Sequence, residues 1–431
     1  MHFQYGIRQN LGQFLQQLLQ VFFVGLTIGM LRTVVPALAE SEFGVPRNSF
    51  ALLTTFVVAF GFVKGILNFV AGRMSENIGR KNVLLLGWIA ALPIAPLIFY
   101  AQSWSWIVVA TVLLGVNQGL AWSMTQTSQL DITRHGQRGL TIGLNEFAGY
   151  VGLAVAGIAT GYLAATLGAR TGLLIFGTSV VLAALVLTLS SIRETLPWAR
   201  AEANANPDAN ASQRPRYPKN IAEFPSTWEV FTLMSWRDRR LAAVCQAGLV
   251  EKFVDALVWV FYPLYLYQQN LSLPQIGSVV GVYGFVWGGL QLFSGSLSDR
   301  FGRQHINVTG MIVCGAGVAM MLLGSGLLWW SISAAITGIG MALLYPNLSA
   351  AVADIAHPNW RGSAIGIYRF WRDLGYGIGA LGLGLVASIS GGVTAAFAFV
   401  ALSMFTSAAL LWVWGEETHP KLNPQRADAA A

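Results

Sequence analysis

Long apolar runs separated by short polar loops repeat along almost the whole chain. Twelve of them are about 20 residues long, the length that an α-helix needs to cross a bilayer. They cover approximately 20–40, 48–72, 82–101, 105–127, 139–166, 171–192, 241–268, 276–297, 304–325, 328–351, 362–387 and 393–415. Since a segment in lipid must satisfy its own backbone hydrogen bonds, each run predicts a helix. We therefore expect an all-α membrane protein with twelve transmembrane helices, which we number spans 1 to 12.

Composition and charge placement support this prediction. Hydrophobic residues make up 55% of the 431 residues and charged residues only 10%, against about 25% charged in a typical soluble domain. Basic residues concentrate in every second loop: Arg73, Arg80, Lys81, Arg134, Arg138, Arg300, Arg303 and Arg361. Because basic loops stay cytoplasmic, we expect both termini in the cytoplasm and a multi-pass protein of the bacterial inner membrane. The net charge of +7 follows from these loops and does not indicate a nucleic-acid partner.

Several classes of chemistry lack their sequence signals. Cys245 and Cys314 lie in apolar runs, as small core residues do, with neither a disulfide framework nor metal-ligand spacing. No GxxxxGK[ST] loop and no nucleophile–base pattern occurs. We therefore expect no cofactor, no metal and no enzymatic activity, in a monomer. None of the five histidines lies well inside a predicted helix, so a coupled proton would have to be carried by a carboxylate.

The chain contains an internal repeat with an offset of 223 residues. The segment "GRMSENIGRK" from Gly72 matches "GSLSDRFGRQ" from Gly295, and "RGLTIGLNEF" from Arg138 matches "RGSAIGIYRF" from Arg361. We therefore expect two pseudo-symmetric six-helix bundles, 1–192 and 241–416, a cytoplasmic linker at 193–240 and a tail at 417–431. Six-helix halves repeated in parallel are typical of transporters, with the solute site between them near mid-membrane.

The two loop segments resemble the signature of the major facilitator superfamily: Gly, three residues, Asp, Arg, one residue, Gly, Arg, then Arg or Lys. The second copy matches until Gln304, whereas the first has Glu76 and Asn77 in place of the usual Asp and Arg. The resemblance covers nearly the whole chain and implies the fold of that superfamily. It does not identify a solute.

The resemblance implies a cytoplasmic gate between the halves, in which Glu76 and Asp299 hold the face shut. The glycines permit close helix approach and tight turns, and Asp131 and Asp354 are expected to pair with Arg80 and Arg303. The predicted gating residues are Gly72, Glu76, Gly79, Arg80, Asp131, Asp299, Gly302, Arg303 and Asp354. The alternative is that these charges only orient the protein in the membrane.

Ionisable residues inside spans are costly and indicate function. They are Arg32, Lys64, Glu146, Glu251, Lys252, Asp255, Arg369, Arg372 and Asp373. The buried acids Glu146, Glu251 and Asp255 are the candidates for proton coupling. Glu251 and Asp255 share one face of span 7, and either could share a proton with the other or balance Lys252 and Arg32. Glu146 aligns with Arg369 across the repeat, which suggests a charge pair at the seam where the two halves meet.

Lys64 interrupts an apolar run at the position where the second half has Trp287. In the superfamily span 2 meets span 11, so we expect Asp373 to be shared by Lys64 and Arg369 in a pair that breaks and re-forms during transport. The alternative is that Lys64 extends to the inner headgroups. By the same resemblance spans 4 and 10 line the cavity. Candidate solute-binding residues are Arg32, Trp122, Glu251, Asp255, Trp259, Tyr345 and Arg369.

Together these features predict a secondary active transporter that works by alternating access and is coupled to protons or another ion. The excess of basic residues in spans 1, 2, 7 and 11 favours a small organic or inorganic anion. The aromatic and methionine content leaves open a drug/proton antiporter for amphiphilic compounds. A receptor on the same scaffold, binding a solute without moving it, is the remote alternative.

Overall fold

The computed structural model describes residues 3–44, 50–205, 225–390, 392–419 and 422. Within these helices the side chains of 32–41, 50–57, 204–205 and 273–274 are not described. The predicted solute ligand Arg32 therefore lies outside the described side chains. Residues 206–224 of the predicted linker and residues 420–421 and 423–431 of the predicted tail also lie outside the described residues.

The described residues form twelve helical spans, one for each predicted apolar run. They are α1 (Leu11–Phe43), α2 (Phe50–Ile78), α3 (Arg80–Ala91 and Ile94–Phe99), α4 (Trp104–Asn117, Gln118–Trp122 and Ser123–Ile132), α5 (Arg138–Leu167), α6 (Ala169–Ser190), α7 (Arg239–Ala256, Leu257–Phe261 and Tyr262–Gln268), α8 (Leu273–Phe301), α9 (Arg303–Leu323), α10 (Leu327–Ile355), α11 (Arg361–Ser390) and α12 (Thr394–Trp414). A linker helix, Leu196–Ala205, follows α6, and a shorter one, Thr227–Thr232, precedes α7. The twelve predicted spans are confirmed.

The largest error lies at the start of α1, which begins at Leu11 instead of residue 20. Its first turns, "LGQFLQQLLQ", are rich in leucine and glutamine, which are good helix formers although they are not continuously apolar. Among the described residues, ten spans are long and apolar enough to cross a membrane by composition alone, and α2 and α7 are not among them. In α7 the reason is the charged turn Glu251, Lys252 and Asp255.

Two spans contain π-helical turns near their middle, Gln118–Trp122 in α4 and Leu257–Phe261 in α7. In α7 the turn precedes Pro263, whose ring lacks the N–H that would otherwise bond one turn back. The helix widens there, just after the charged turn, and π-turns are frequent at functional sites.

Helix packing separates the chain into two bundles. In the first, α1 packs on α5 and α6 while α2 packs on α4; in the second, α7 packs on α11 and α12 while α8 packs on α10. The bundles meet along two seams, α2 against α11 and α5 against α8. Each seam is the repeat of the other, because the offset of 223 maps α2 on α8 and α11 on α5. The interface is therefore pseudo-symmetric.

Glycines set the distance between helices at the two seams. A Cβ on Gly72 would lie 2.6 Å from the carbonyl oxygen of Gly362, and one on Gly295 would clash with the carbonyl oxygen of Gly139. The loop that follows each helix turns at Gly79 (φ 92°) or Gly302 (φ 97°), where a side chain would be strained. These close contacts between backbones lie at the end of the bundle that carries the basic loops, and they require glycine. We call this end the basic face.

Candidate functional site

The basic face contains a cluster of buried and half-buried ion pairs that connects the two halves. Arg80 Nε lies 2.9 Å from Asp131 Oδ2, and Arg303 Nε lies 3.0 Å from Asp354 Oδ2. The structure therefore contains both pairs expected from the sequence. The members of this basic-face cluster are Glu76, Arg80, Asp131, Arg138, Glu202, Asp299, Arg303, Asp354 and Arg361.

Each aspartate also contacts an arginine of the opposite half. Arg138 Nη1 lies 3.3 Å from Asp354 Oδ1, and Arg361 Nη1 lies 3.7 Å from Asp131 Oδ1. Arg138 additionally donates to the carbonyl oxygen of Ala353 at 2.6 Å. Each aspartate is thus held by one arginine of its own half and one arginine of the opposite half. These contacts tie the helix ends of the two halves together.

The two signature acids cap helices across the seam. Asp299 accepts hydrogen bonds from the backbone N–H groups of Gly139 (3.1 Å) and Leu140 (2.9 Å) at the start of α5. Glu76, at the corresponding position, accepts from the N–H of Ser363 at 2.7 Å at the start of α11. Carboxylates at a helix N-terminus satisfy free N–H groups and oppose the helix dipole. The Glu for Asp change in the first copy keeps the cap with one hydrogen bond instead of two.

A second pair of acids, which we did not predict, caps α3 and α9. Glu194 accepts from the N–H groups of Arg80 (2.9 Å) and Lys81 (3.0 Å), and Glu417 does the same for Arg303 (2.9 Å) and Gln304 (3.2 Å). The signal was present in the sequence, because "RETLP" and "EETHP" carry these glutamates at the same offset of 223.

The linker helix adds a third acid at the basic face. Glu202 Oε1 lies 2.9 Å from Arg361 Nη2, 2.9 Å from His135 Nε2 and 3.5 Å from Arg138 Nη2. Burial alone would raise the pKa of Glu202, but Arg361, His135 and Arg138 together hold that pKa well below its usual value. The repeat has no counterpart of this residue, so no sequence pattern pointed to it.

A second cluster of charges lies near the middle of the spans, and all its side chains are buried. Among the described side chains it contains four bases and four acids, so their formal charges balance. The members of this central cluster are Lys64, Glu146, Glu251, Lys252, Asp255, Arg369, Arg372 and Asp373.

Lys64 and Asp373 meet across the seam between α2 and α11. Lys64 Nζ lies 3.4 Å from Asp373 Oδ2, which also accepts a hydrogen bond from Asn68 Nδ2 at 2.7 Å. The arginine beside Asp373 is Arg372, with Nε 3.2 Å from Oδ1. Our expectation that Arg369 shares Asp373 is therefore wrong in its partner, although the contact with Lys64 is present.

Arg369 turns instead toward the first half. Its Nη1 donates to Gln126 Oε1 at 2.9 Å and lies 3.8 Å from Glu146 Oε1. Glu146 Oε1 also accepts from the indole Nε1 of Trp122 at 2.9 Å. The polar groups of α4 and α5 are a better environment for the guanidinium than Asp373, which already has two cationic neighbours. The structure thus brings together the charges that align across the repeat.

On α7 one lysine contacts both predicted acids. Lys252 Nζ lies 2.6 Å from Asp255 Oδ2 and 3.8 Å from Glu251 Oε1, and Tyr283 donates to Asp255 Oδ1 at 2.9 Å. Within the described residues no hydrogen bond joins Glu251 to Asp255, and neither oxygen of Glu251 has a hydrogen-bond partner. This arrangement does not support a proton shared between the two acids.

Aromatic rings surround the cationic groups. The Tyr345 centroid lies 4.0 Å from Lys252 Nζ, and the Trp122 centroid lies 5.5 Å from Lys64 Nζ. The half-buried Trp259 stacks on Tyr376 at 5.3 Å. The three aromatic residues expected to face the solute are therefore at or next to the central cluster. Tyr376 was missed, and the contact of Lys252 with these rings was not foreseen, because both depend on which helix faces meet.

Comparison with known proteins gives one family. The model of the Major Facilitator Superfamily matches residues 18–254 and 244–431. An uncharacterised MFS-type transporter of Salmonella typhimurium is 25% identical over 83% of this chain and 85% of its own length. The multidrug resistance protein MdtH of Salmonella choleraesuis is 32% identical, over only 31% of this chain and 34% of that protein.

Solved structures share the fold. The human organic anion transporter MFSD10 (TETRAN) is 18% identical, with a TM-score of 0.73 over 93% of this chain and 99% of that chain. The proton:xylose symporter XylE, bound to 6-bromo-6-deoxy-D-glucose, is 14% identical, with a TM-score of 0.75 over 99% and 100%. At these identities the likeness concerns the fold alone.

Proposed function

The chain belongs to the major facilitator superfamily, and we propose that it is a secondary active transporter that moves a small anion together with a proton. It is an integral, multi-pass membrane transporter and not an enzyme. The observation that carries the anion proposal is a set of free donors on two buried arginines. Within the described residues, Nε and Nη2 of Arg369 and Nη1 and Nη2 of Arg372 have no hydrogen-bond partner.

Free guanidinium N–H groups in a buried site favour an anion or a hydroxyl-rich solute. A buried donor without a partner costs free energy, and a guanidinium matches the geometry of carboxylate, phosphate or sulfate oxygens. Arg369 and Arg372 lie three residues apart on α11, so one solute could contact both. The aromatic rings of Trp122, Trp259 and Tyr345 beside them would pack against an apolar part of an organic anion.

The balance of charges supports a coupled proton. Within the described side chains, which do not include Arg32, four buried bases balance four buried acids. A bound anion would leave this set with one uncompensated negative charge, which is costly in a buried site. One proton on an acid restores the balance. Glu251 is the best of the three candidates because its oxygens accept no hydrogen bond in the described structure, whereas Glu146 and Asp255 each accept at least one.

The basic-face cluster would act as the gate of alternating access. We place this face in the cytoplasm, because its loops carry the basic residues. Its ion pairs and helix caps join the halves at this face. For the solute to leave toward the cytoplasm, these contacts must break while the halves rock about the central cluster.

A drug/proton antiporter is the second candidate. The partial match to MdtH and the aromatic surroundings of the central cluster favour it. This candidate differs from the anion transporter in the charge of its solute, because aromatic rings and acids together bind organic cations. The two proposals are therefore separable by experiment.

The test is solute uptake by proteoliposomes under an imposed proton gradient. Inorganic phosphate and sulfate, aliphatic and aromatic carboxylates, and cationic dyes would be compared. We expect gradient-driven uptake of one or more anions, reduced in Arg369→Lys and Arg372→Lys but not in Arg193→Ala, which removes an exposed arginine. Transport of cationic dyes alone would support the antiporter, and saturable binding without flux would indicate a receptor.

A further inference from the structure

The ammonium group of Lys252 lies inside a cage of aromatic rings and carboxylates. Its Nζ is 4.0 Å from the ring centroid of Tyr345, 5.0 Å from that of Tyr376 and 5.4 Å from that of Trp287. Two carboxylates complete the surroundings, as described above. We call this the Lys252 cage; its members are Trp287, Tyr345, Tyr376, Asp255 and Glu251.

Other side chains hold the cage in place. Trp287 and Tyr345 pack edge to face with centroids 5.5 Å apart, and Tyr150 of the first half packs on Trp287 at 4.4 Å. Trp259 stacks on Tyr376, and Tyr283 donates to Asp255. Since these contacts do not involve the lysine, the rings and the carboxylate would keep their places without it.

Several aromatic faces beside a carboxylate form a recognition site for organic ammonium ions. We propose that Lys252 is a specificity-determining residue, whose tethered ammonium group fills this cage and thereby keeps organic cations out of the solute site. The inference rests on the proposed anion transport, because it explains how a site so rich in aromatic rings and acids rejects cations.

The charges of the central cluster explain the exclusion. With Lys252 present, a cation that entered would find a base within 4 Å of every acid of the central cluster, and it would have to displace Nζ from Asp255. Without Lys252, three bases face four acids, and the cage gains a net negative charge. Arg372, 4.5 Å from the Tyr345 ring, remains nearby, but Asp373 lies 3.2 Å from its Nε.

The experiment measures binding of n-butylammonium, which has the length of the lysine side chain. Purified full-length wild type, Lys252→Ala and Lys252→Arg would be compared by equilibrium dialysis with radiolabelled n-butylamine. We expect Lys252→Ala to bind at least about ten-fold more tightly than the other two. Tyr345→Leu in the Lys252→Ala background should reduce this gain, because it removes the nearest ring.

Two results would overturn the inference. One is a folded Lys252→Ala protein that binds n-butylammonium no better than Lys252→Arg; if Lys252→Ala does not fold, Lys252→Gln with methylammonium decides in its place. The other, which needs no variant that removes the positive charge, is saturable binding by wild type that Lys252→Arg retains. The result is independent of anion transport: cation binding by Lys252→Ala without any anion flux in wild type would refute the proposed function and not the cage.

Discussion

The basic-face cluster and the central cluster both lie at positions that the repeat relates, yet only the basic-face cluster has similar residues in the two halves. At an offset of 223, Arg80, Asp131 and Arg138 of the first half recur as Arg303, Asp354 and Arg361. The central cluster changes at every equivalent position. Its exchanges between the halves are Ile28 for Glu251, Gly29 for Lys252, Arg32 for Asp255, Lys64 for Trp287, Glu146 for Arg369, Gly149 for Arg372 and Tyr150 for Asp373.

The difference fits the roles that we propose for the two clusters. The basic-face cluster joins two similar bundles to each other, and a two-fold arrangement serves both seams equally. A solute without two-fold symmetry is better matched by a site whose halves differ. The exchanges also place an acid in one half where the other has a base, which lets buried charges neutralise each other across the seam.

Removal of Lys64 should have the largest effect, because it breaks the asymmetric cluster at the seam. Lys64→Ala leaves Asp373 with one fewer cation, and breaking a buried pair costs roughly 3 kcal/mol or more. We expect transport to fall by about 100-fold in Lys64→Ala and in Asp373→Ala. Proteoliposome uptake measures this, with Arg193→Ala as the exposed control.

The exchange Lys64→Asp with Asp373→Lys tests the pair itself. It should restore only part of the activity, because the new lysine would lie beside Arg372. In the double variant Lys64→Ala with Asp373→Ala, the losses should be less than additive. Strictly additive losses would mean that the two side chains act independently and that their contact has no role in transport.

Glu251→Gln should have the next largest effect and a selective one. If Glu251 carries the proton, the neutral amide should reduce gradient-driven uptake by at least about ten-fold while solute exchange changes less than about two-fold. Glu146→Gln and Asp255→Asn are matched controls, since both acids accept hydrogen bonds in the described structure. Full pH-driven transport by Glu251→Gln would remove it as the coupling group.

The basic-face cluster predicts a smaller and symmetric effect. Arg80→Ala and Arg303→Ala each remove one of two arginines from an aspartate, so the second arginine still holds it. Alkylation of Thr141→Cys, a buried position close to Arg138 on α5, should become up to about ten-fold faster in both variants. Similar alkylation rates in the two variants would support the pseudo-symmetry, whereas faster alkylation in only one of them would contradict it.

These two regions also show what a sequence reveals. The twelve spans followed from apolar length, and the pairs Arg80–Asp131 and Arg303–Asp354 followed from identical repeat spacing. Repetition in the sequence thus carried information about contacts at the basic face. The same signal would have identified the caps Glu194 and Glu417, had it been followed to the ends of spans 6 and 12.

The members of the central cluster could be identified from the sequence, but the contacts between them could not. Every charged member was visible as an ionisable residue in an apolar run, yet Arg369 and Arg372 were interchangeable as partners of Asp373. They differ by three positions on α11, and only the packing of α11 against α2 and α4 decides which one faces Asp373. Glu202 could not be foreseen at all, because neither a repeat nor an apolar span marks it.

Glu202 offers the smallest and most specific test of the symmetry, since it is the one acid of the basic-face cluster without a counterpart in the repeat. Glu202→Gln keeps the shape of the side chain but removes its charge. Arg138 and Arg361 retain their aspartates, so we expect unfolding to become easier by only about 1 kcal/mol. Thermal unfolding at neutral pH measures the difference from wild type.

The pH dependence of that difference identifies the carboxylate as its source. Because the pKa of Glu202 is held well below its usual value, its stabilisation is fully present above the unfolded pKa, near 4.3, and is lost as the pH falls through the lower folded pKa. The difference between wild type and Glu202→Gln should therefore stay constant from neutral pH to about pH 5 and shrink only in stronger acid. Both proteins should carry His135→Gln, since His135 also contacts Glu202 and titrates. A difference that vanished already near pH 6 would mean that the carboxylate is not held by Arg361 and Arg138, and that the linker helix does not strengthen the basic face.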